Sequence, residues 1–301
     1  MREPILIIGT GALGSLFAAR LAGAGHPVTM LGTWQEGLDA IRRNGVGLID
    51  ANGEEHRYPV RAIADPRECL GTRYALVLVK AWQTERAAQQ LAQCLAEDGL
   101  AVTLQNGLGN RETLIQRLGQ ERVALGVTTA GANLLEAGRV QAGGEGPISI
   151  EQHPALGPLG EALKSANFNL QVVEDARSLI WGKLVINSAI NPLTALLRIP
   201  NGELLERPSA RDMMRELASE TARVAAAEEI DLPFPNPVAA AEEVARKTAA
   251  NRSSMLQDIL RGAPTEIDAI CGAIVNIARQ HGLAVPVNWS CWQLVRAIRR
   301  L

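Results

Sequence analysis

The sequence has little that would indicate a metal site, a disulfide framework or a nucleic-acid-binding protein. Its 301 residues include only four cysteines and four histidines, all scattered. The cysteines form no C-x-x-C pair and have no histidine at metal-ligand spacing, so we expect reduced packing cysteines and no metal. The formal net charge of −2 gives no support for binding to nucleic acid or to an anionic membrane.

The sequence also lacks the marks of exported and membrane proteins. A strand-like run begins within a few residues of the N-terminus, without a signal-peptide pattern. Every long apolar stretch is interrupted by Lys, Asn or Pro before it reaches the length of a membrane span. We therefore expect a cytoplasmic protein whose partners are small molecules. The sequence leaves open whether it is a monomer or a homodimer.

A glycine-rich turn near the N-terminus predicts a dinucleotide site. The apolar run Ile5–Ile8 leads directly into this turn, which a helical pattern and the strand-like run Pro27–Leu31 follow. A G-x-G-x-x-G motif in this βαβ setting permits a tight turn, a close approach to a pyrophosphate and close helix packing. The N-terminus of the helix offers unpaired N–H groups to the phosphates. The predicted cofactor-binding residues of the turn are Gly9, Thr10, Gly11, Ala12, Leu13 and Gly14. The alternative is a glycine-rich connector without a ligand.

The end of the second strand favours NADP over NAD. Sites for NAD usually carry an acidic residue there, which binds the ribose 2′-hydroxyl. Here Gly32-Thr33-Trp34 follows the strand, and the first acid is Glu36. A carboxylate at the strand end would repel the 2′-phosphate of NADP, so its absence favours NADPH, with NAD still possible. The arginines that come next along the chain are the pair at positions 42 and 43.

The pattern of elements predicts two domains. Strand and helix patterns alternate up to about residue 175, which is typical of a mainly parallel, doubly wound sheet. From residue 176 onwards only long helical patterns follow, one of them predicted to begin at Pro264. We expect an α/β Rossmann-type dinucleotide-binding domain over residues 1–175 and an all-helical substrate domain over residues 176–301.

A polar stripe marks the first helix of the second domain, predicted over Ser178–Leu197. This segment is almost wholly apolar except for Lys183, Asn187 and Asn191, which follow each other at four-residue steps and so share one helix face. Burying an ammonium group is costly, and two carboxamides leave its charge unneutralised. The stripe therefore indicates a pocket for an anionic or carbonyl-bearing ligand. The alternative is an outer helix face on which the lysine reaches solvent.

Four further residues are individually ambiguous. Lys80 and Asn106 each follow a predicted strand at the carboxyl edge of the sheet, where ligands bind. Alternatively, Lys80 reaches solvent and Asn106-Gly107 is an ordinary turn. Ser254 could form a capping box with the glutamine three residues later. Glu266 could stabilise a helix N-terminus through the helix dipole.

In combination, these segments resemble the ketopantoate reductase (2-dehydropantoate 2-reductase) family over nearly the whole chain. Each segment is short, but together, in this order and spacing, they are highly specific. The matching segments are Gly9–Gly14, Lys80–Gln83, Asn106–Gly107, Trp181–Ala195, Pro200–Leu204, Ser253–Asp258, Thr265–Asp268 and His281–Pro286.

The resemblance implies an NADPH-dependent reduction of the keto group of 2-dehydropantoate to give pantoate, a step towards pantothenate and coenzyme A. It implies that Lys183 is the general acid and that Glu266 contacts the substrate hydroxyl. Lys80 and Asn106 match positions at the nicotinamide end of the site. The positions that match substrate-binding residues of the family are Asn187, Asn191, Asn251 and Ser254. One departure is Gly32, where the family's prototype has an arginine for the 2′-phosphate.

Three alternative functions remain. A dehydrogenase of the β-hydroxyacid or 6-phosphogluconate kind also has a lysine on this helix, but typically in a K-x-x-N pattern, whereas Lys183 is followed by Asn187. The second alternative is a related reductase that acts on another 2-keto acid. The third belongs to a different class: it is a non-catalytic nucleotide sensor, which would need neither the polar stripe nor a separate glutamate and serine.

Overall fold

The four residues of the first strand, Ile5–Ile8, are all buried, because both faces of the sheet to which they belong are covered. This is seen in a computed structural model, which describes residues 2–50 and 52–298. The chain divides into two units. The first comprises the residues up to Gln105 together with Asn110–Ala176, and the second comprises Asn106–Gly109 together with the residues from Arg177 onwards.

The first unit alternates strands and helices, as the sequence predicts. In chain order its elements are β1 (Ile5–Ile8), α1 (Ala12–Gly23), β2 (Val28–Leu31), α2 (Gln35–Asn44), β3 (Val46–Ile49), β4 (Glu55–Tyr58), β5 (Arg61–Ile63), β6 (Thr72–Val77), α3 (Thr84–Cys94), β7 (Leu95–Thr103), α4 (Asn110–Leu118), β8 (Val123–Thr128), β9 (Ala132–Glu136), β10 (Arg139–Ala142), β11 (Ile148–Glu151), α5 (Gly157–Ser165) and β12 (Leu170–Val173).

The main sheet has eight strands in the order β12-β11-β8-β7-β6-β1-β2-β5. Its strands pair in parallel except where β8 meets β11. Strand β1 lies between β2 and β6, so the strand order reverses at β1, and ligands of open α/β sheets bind at the carboxyl ends of the strands at such a point. The predicted fold class is confirmed.

Both faces of the main sheet carry an apolar core. Ile5 and Ile7 of β1 pack in one core with Phe17 of α1, whereas Leu6 and Ile8 pack in a second core with residues of α3 and α4. Successive side chains of a strand point to opposite faces, so a strand covered on both sides reads as one continuous apolar run. This is why the sequence identifies β1 so clearly.

A second, four-stranded sheet in this unit has the order β4-β3-β10-β9. The sequence predicts a hairpin over Val46–Ile63 that turns at Asn52-Gly53. This hairpin corresponds to β3 and β4, which pair antiparallel. The third run of that segment, Arg61–Ile63, joins the main sheet beside β2 instead of extending the hairpin. Strand β9 was not predicted, and β10 pairs in parallel with β3, nearly a hundred residues earlier in the chain.

The second unit is helical. Its elements are α6 (Arg177–Leu197), α7 (Glu203–Glu206), α8 (Pro208–Ala227), α9 (Pro237–Lys247), α10 (Ser254–Leu260), a π-helical turn (Asp268–Gly272), α11 (Ala273–Gln280) and α12 (Pro286–Ala297). Helix α6 packs against α8, α9, α10 and α12 and is thus the central helix of this unit. The sequence predicts that the last helix ends at Arg300, which lies outside the described residues.

One helix boundary differs from the prediction. The helix expected to begin at Pro264 begins at Asp268, and its first five residues form the π-helical turn. Glu266 therefore lies in the turn before the helix, where its backbone carbonyl accepts the N–H groups of Ala269 and Ile270. Short π-helical segments are rare and occur frequently at functional sites.

Some polar and sulfur-containing residues have structural roles. Cys94, Cys271 and Cys291 are buried with free thiols, and Cys69 is partly buried, also with a free thiol. Glu220 is 2 % exposed and accepts the backbone N–H groups of Val287 and Asn288 in the first turn of α12. Within residues 2–50 and 52–298, no helix combines the length and the apolar character that a bilayer crossing requires.

Candidate active site

The glycine-rich turn after β1 has the shape of a cradle into which a phosphate group would fit. Gly9 has a φ of +120°, and a Cβ atom there would lie 3.2 Å from the carbonyl of Leu78, directly after β6. A Cβ atom at Gly14 would lie 2.3 Å from the Gly9 carbonyl oxygen, so this position requires glycine for close packing. A Cβ atom at Gly11 would meet nothing within 4 Å. The backbone at Gly11 is thus open to a ligand.

The helix that follows the turn completes this cradle. Helix α1 begins at Ala12 with Gly11 as its N-cap, and its first turn, which includes Leu13, carries no acidic residue. Its unpaired N–H groups and the positive end of its dipole favour a bound anion. Thr10 is 5 % exposed and lies between Gly9 and Gly11. These residues fit the pyrophosphate of a dinucleotide.

The end of β2 contains no carboxylate. Gly32, Thr33 and Trp34 follow the strand, and Glu36 lies exposed in the first turn of α2. The strand end therefore carries no negative charge that would repel the 2′-phosphate of NADP.

Lys80 lies at the carboxyl edge of the sheet, three residues beyond the last residue of β6. It is partly buried, and its backbone carbonyl accepts the N–H of Gln83. The segment before it is fixed by Gln105, whose side-chain amide donates to the Val79 carbonyl at 3.0 Å and to the Thr84 hydroxyl at 2.8 Å. The sequence analysis did not identify Gln105, because a glutamine after a strand gives no specific signal.

The predicted polar stripe lies on helix α6, as expected. Lys183 and Asn187 are partly buried, and Asn191 is 7 % exposed. The stripe is thus not on a solvent-exposed helix face. The side-chain amides of Asn187 and Asn191 make no hydrogen bond to any residue in the described part of the chain. A largely buried carboxamide without a protein partner is costly unless water or a ligand satisfies it.

The pKa of Lys183 is set by two opposing effects. Burial lowers it from its ordinary value of 10.5 to about 8, and the negative charge of Glu266 acts in the opposite direction. Burial is the larger of the two effects. An ammonium group with a pKa near physiological pH can give up its proton readily, as a general acid must.

Glu266 connects the stripe to Asn106. Its carboxylate is 5 % exposed, and its Oε2 accepts a hydrogen bond from the Asn106 side-chain amide at 3.2 Å. Gly107 permits this approach: it has a φ of +81°, and a Cβ atom there would lie 2.4 Å from the carbonyl oxygen of Ala269. The Asn-Gly pair is thus a tight turn that also places a side chain on the glutamate.

Ser254 does not form the capping box that the sequence allowed. The N-cap of α10 is Ser253, whose hydroxyl accepts the N–H of Leu256 at 3.1 Å, and the predicted partner Gln257 donates to the Arg252 carbonyl instead. The Ser254 hydroxyl is partly buried and makes no hydrogen bond to the residues that the structure describes. The capping interpretation is therefore wrong for Ser254, which leaves its hydroxyl available to a ligand.

Ser254 and the stripe are held in register by a buried contact. The hydroxyls of Ser253 and Thr194 are 2.7 Å apart, and Thr194 lies one turn beyond Asn191 on α6. The Thr194 hydroxyl also contacts the Asn191 carbonyl at 3.0 Å. The start of α10 is thus fixed against the end of the stripe. Neither Ser253 nor Thr194 was identified from the sequence, because their contact joins residues 59 positions apart.

Asn251 is exposed, in the segment that leads to α10. Its backbone carbonyl accepts the N–H of Asn201, and the Asn201 side chain donates to the Thr248 hydroxyl at 2.9 Å. Gly202 allows the two segments to meet, since a Cβ atom there would lie 2.6 Å from the Ala249 side chain. The Pro-Asn-Gly segment therefore supports the loop that carries Asn251.

Taken together, the helical unit contains the parts of an acid catalyst for carbonyl chemistry. Lys183 supplies a transferable proton, Glu266 supplies a nearby negative charge, and the unpaired polar groups can accept or donate hydrogen bonds to a small polar ligand. Among the described residues, the one cluster with metal-ligand spacing consists of Asp50, Glu54 and His56, of which Asp50 is partly exposed and the other two are exposed.

Comparisons with known proteins match this chain over two consecutive segments. The family described as "Ketopantoate reductase PanE/ApbA" matches residues 5–155, and "Ketopantoate reductase PanE/ApbA C terminal" matches residues 175–299. A 2-dehydropantoate 2-reductase from Halobacterium salinarum is 33% identical over 302 aligned residues, which cover 98% of this chain and 99% of that protein.

Two solved structures are similar over nearly the whole chain. The crystal structure of a PanE/ApbA family ketopantoate reductase from Ralstonia eutropha superimposes with a TM-score of 0.92 at 31% identity, covering 98% of this chain and 97% of that one. A D-mandelate dehydrogenase, in a ternary structure with NADH and anilino(oxo)acetate, has a TM-score of 0.92 at 27% identity and covers 98% of each chain.

Proposed function

Because this chain belongs to the ketopantoate reductase family, we propose that it reduces 2-dehydropantoate to pantoate with NADPH. The observation that carries this proposal is the polar stripe of α6, in which Lys183 shares one largely buried helix face with Asn187 and Asn191. A reduced nicotinamide, when bound, supplies a hydride to the keto carbon. Every other requirement of the reaction falls to the residues of the chain.

Lys183 is the proposed general acid. Reduction of a ketone places negative charge on its oxygen, which must gain a proton as that charge develops. The Lys183 ammonium both stabilises the charge and donates the proton from Nζ. Since the pKa of Lys183 is about 8, this side chain is protonated in most molecules at neutral pH. The proton is nevertheless less firmly held than in an ordinary lysine.

The polar groups around Lys183 are proposed to bind and orient the keto acid. Asn187, Asn191, Asn251 and Ser254 are the proposed substrate-binding residues, and Glu266 contacts the substrate hydroxyl. The side chains of Asn187, Asn191 and Ser254 have no hydrogen-bond partner in the described part of the chain, which supports a ligand as their partner. Amides and hydroxyls suit this role, because they bind oxygen atoms without neutralising the lysine.

The first unit is proposed to hold the cofactor. The turn from Gly9 to Gly14 would bind the pyrophosphate, and Lys80 and Asn106 are the other proposed cofactor-binding residues. We therefore assign cofactor binding to residues 1–175 and substrate binding to residues 176–301. The absence of an acid at the end of β2 supports NADPH. We further propose a cytoplasmic enzyme that is a monomer or a homodimer.

A second candidate is a reductase of another 2-keto acid that uses NADH. It is favoured by the similarity to the D-mandelate dehydrogenase bound to NADH, and by Gly32, which offers no charge to a 2′-phosphate. The two candidates share Lys183 chemistry and differ only in side chains that face the substrate and the ribose.

The test is the loss of absorbance of the reduced nicotinamide with 2-dehydropantoate, run in parallel with NADPH and NADH, and with phenylglyoxylate as a second keto acid. Rapid oxidation of NADPH that depends on 2-dehydropantoate supports the proposal. Preferential turnover of phenylglyoxylate with NADH would establish the second candidate instead.

The variant Lys183→Ala then tests the mechanism. Loss of the general acid is expected to lower kcat by about 10²- to 10⁴-fold, while circular dichroism and cofactor binding remain as in the wild type. The control is Lys247→Ala on α9, which removes an exposed lysine from the same unit and is expected to leave kcat unchanged. Near-normal turnover of Lys183→Ala would show that the acid is misassigned.

A further inference from the structure

The residue directly after β2 has no room for a side chain of its own. A Cβ atom at Gly32 would lie 2.8 Å from Cγ2 and 3.1 Å from Oγ1 of Thr10, and Thr10 is buried in the glycine-rich turn. A longer side chain at position 32 would have to displace part of the proposed pyrophosphate cradle. A charged side chain that recognises the 2′-position of the adenosine ribose must therefore come from another element.

Arg86 brings such a charge to this place. It lies in the first turn of α3, and its guanidinium Nη1 donates a hydrogen bond to the hydroxyl of Thr33 at 3.1 Å. Thr33 follows Gly32 directly, so the guanidinium lies at the end of β2, beside the glycine-rich turn. In Rossmann folds this is where the 2′-position of the adenosine ribose is recognised.

No residue in the described part of the chain neutralises the charge of Arg86. Its side chain is exposed and forms no ion pair with any residue in the ranges 2–50 and 52–298. The adjacent Glu85 is already engaged by Arg117 at 2.8 Å and by Gln89 at 3.0 Å. A guanidinium with unused N–H groups is well suited to a phosphate, which it can bind through two parallel hydrogen bonds.

The two arginines that follow β2 in sequence are not suitably placed. Arg42 donates to the Ala62 carbonyl at 2.9 Å and to Asp39 at 3.1 Å, and Arg43 donates to the Asp39 carbonyl at 3.2 Å. Both lie in the last turn of α2, whereas the ribose site adjoins its first turn. A helix of this length separates its two ends by about 15 Å.

We propose that Arg86, together with the Thr33 hydroxyl, binds the 2′-phosphate of a phosphorylated adenine dinucleotide and thereby sets the preference for NADPH. This inference rests on the proposed function and deepens its cofactor assignment. It makes Arg86 a specificity-determining residue, with no role in the proton or hydride steps. Replacing it should therefore weaken the binding of NADP and leave that of NAD unchanged.

Calorimetric titration of the full-length protein with NADP⁺ and, separately, with NAD⁺ tests the inference without any turnover. The wild type is expected to bind NADP⁺ more tightly than NAD⁺. In Arg86→Ala, the Kd for NADP⁺ is expected to rise about tenfold or more, since a charge-assisted hydrogen bond is lost, while the Kd for NAD⁺ stays constant. The matched control is Arg43→Ala, which also removes one exposed arginine from this unit and is expected to change neither Kd.

Kinetics give a second reading. The KM for NADPH should rise in Arg86→Ala with kcat unchanged, and kcat/KM with NADH should be retained. If the ratio of the two Kd values is the same in Arg86→Ala as in the wild type, or if the wild type does not prefer NADP⁺, the inference is overturned. That result leaves the reduction of 2-dehydropantoate standing if the enzyme turns it over. Conversely, a preference for NADP⁺ that depends on Arg86 supports the inference even in a protein that reduces no keto acid tested.

Discussion

The balance that sets the pKa of Lys183 can be altered by one substitution, Glu266→Gln. Burial lowers this pKa to about 8 against the opposing charge of Glu266. Glutamine keeps the size of the side chain and can still accept a hydrogen bond from Asn106, but it removes the charge. Without that charge the ammonium form loses its stabilisation, so the pKa must fall further.

The expected change is about one pH unit, the low end of the range for a single opposite charge nearby. With a pKa of about 8, about three quarters of the Lys183 side chains are protonated at pH 7.5, and with a pKa of about 7 the fraction falls to about one quarter. A reduction that needs the protonated lysine loses rate as the pH rises through this pKa. In Glu266→Gln the alkaline limb of the profile should therefore move to lower pH.

The assay is the dependence of kcat/KM for 2-dehydropantoate on pH at saturating cofactor. The position of the alkaline limb is the readout, since loss of a substrate contact would lower the whole profile without moving it. Asp268→Asn is the control: its carboxylate is two residues away but exposed, and it pairs with Trp292 and Arg296. A limb that stays in place in Glu266→Gln, or moves equally in both variants, would refute the assignment of Lys183 as the titrating acid.

Two further pairs of variants test the substrate contact of Ser254 and the close backbone approach at Gly107. Ser254→Ala should raise KM for the keto acid roughly three- to tenfold without lowering Tm, whereas Ser253→Ala should lower the stability by about 1 kcal/mol, because it removes the N-cap of α10. A fall in Tm for Ser254→Ala with KM unchanged would contradict this division. Gly107→Ala should lower Tm more than Gly109→Ala: both glycines have positive φ, but only at Gly107 would a Cβ atom clash with the backbone of Ala269. Equal losses in thermal scans would show that the close approach at Gly107 is unimportant.

The parts of the fold that the sequence predicts well are those that depend on neighbouring residues. Strand β1 is buried on both faces, and of the glycines that follow it, Gly9 has a positive φ and Gly14 has no room for a side chain. The polar stripe of α6 is equally local, because helix geometry alone places every fourth residue on one face. In both cases the decisive contacts lie within one or two turns of the chain.

The pairing of the second sheet beyond its hairpin was missed for the opposite reason. The residues of β9 are mostly exposed or partly exposed, so they show no apolar alternation, and β10 pairs with a strand nearly a hundred residues earlier. The late start of the helix after Glu266 has a similar cause. Proline is common at the first position of a helix, but here the segment after Pro264 first forms a turn that presents Glu266 to Asn106.

The same distinction applies to the candidate site. Residue types showed that a lysine, a glutamate and several amides were available, but not how they act on one another. The hydrogen bond between Asn106 and Glu266 spans 160 positions in the sequence, and the pKa of Lys183 depends on which of two opposing effects is larger. Only distances and burial can decide such a comparison.

Cofactor choice is the clearest case of this limit. The residues that follow β2 include neither an acid nor an adjacent arginine. They favour NADP only because no carboxylate would repel its 2′-phosphate. The structure adds a positive reason, because the hydrogen bond from Arg86 to Thr33 brings a guanidinium from a helix 53 positions further along. The motifs that bind the pyrophosphate and the reacting group are constrained by the chemistry that they share. The charged side chain that recognises the 2′-position can instead come from any element that reaches the end of β2. Selectivity in this fold should therefore be sought on α3 as well as directly after β2.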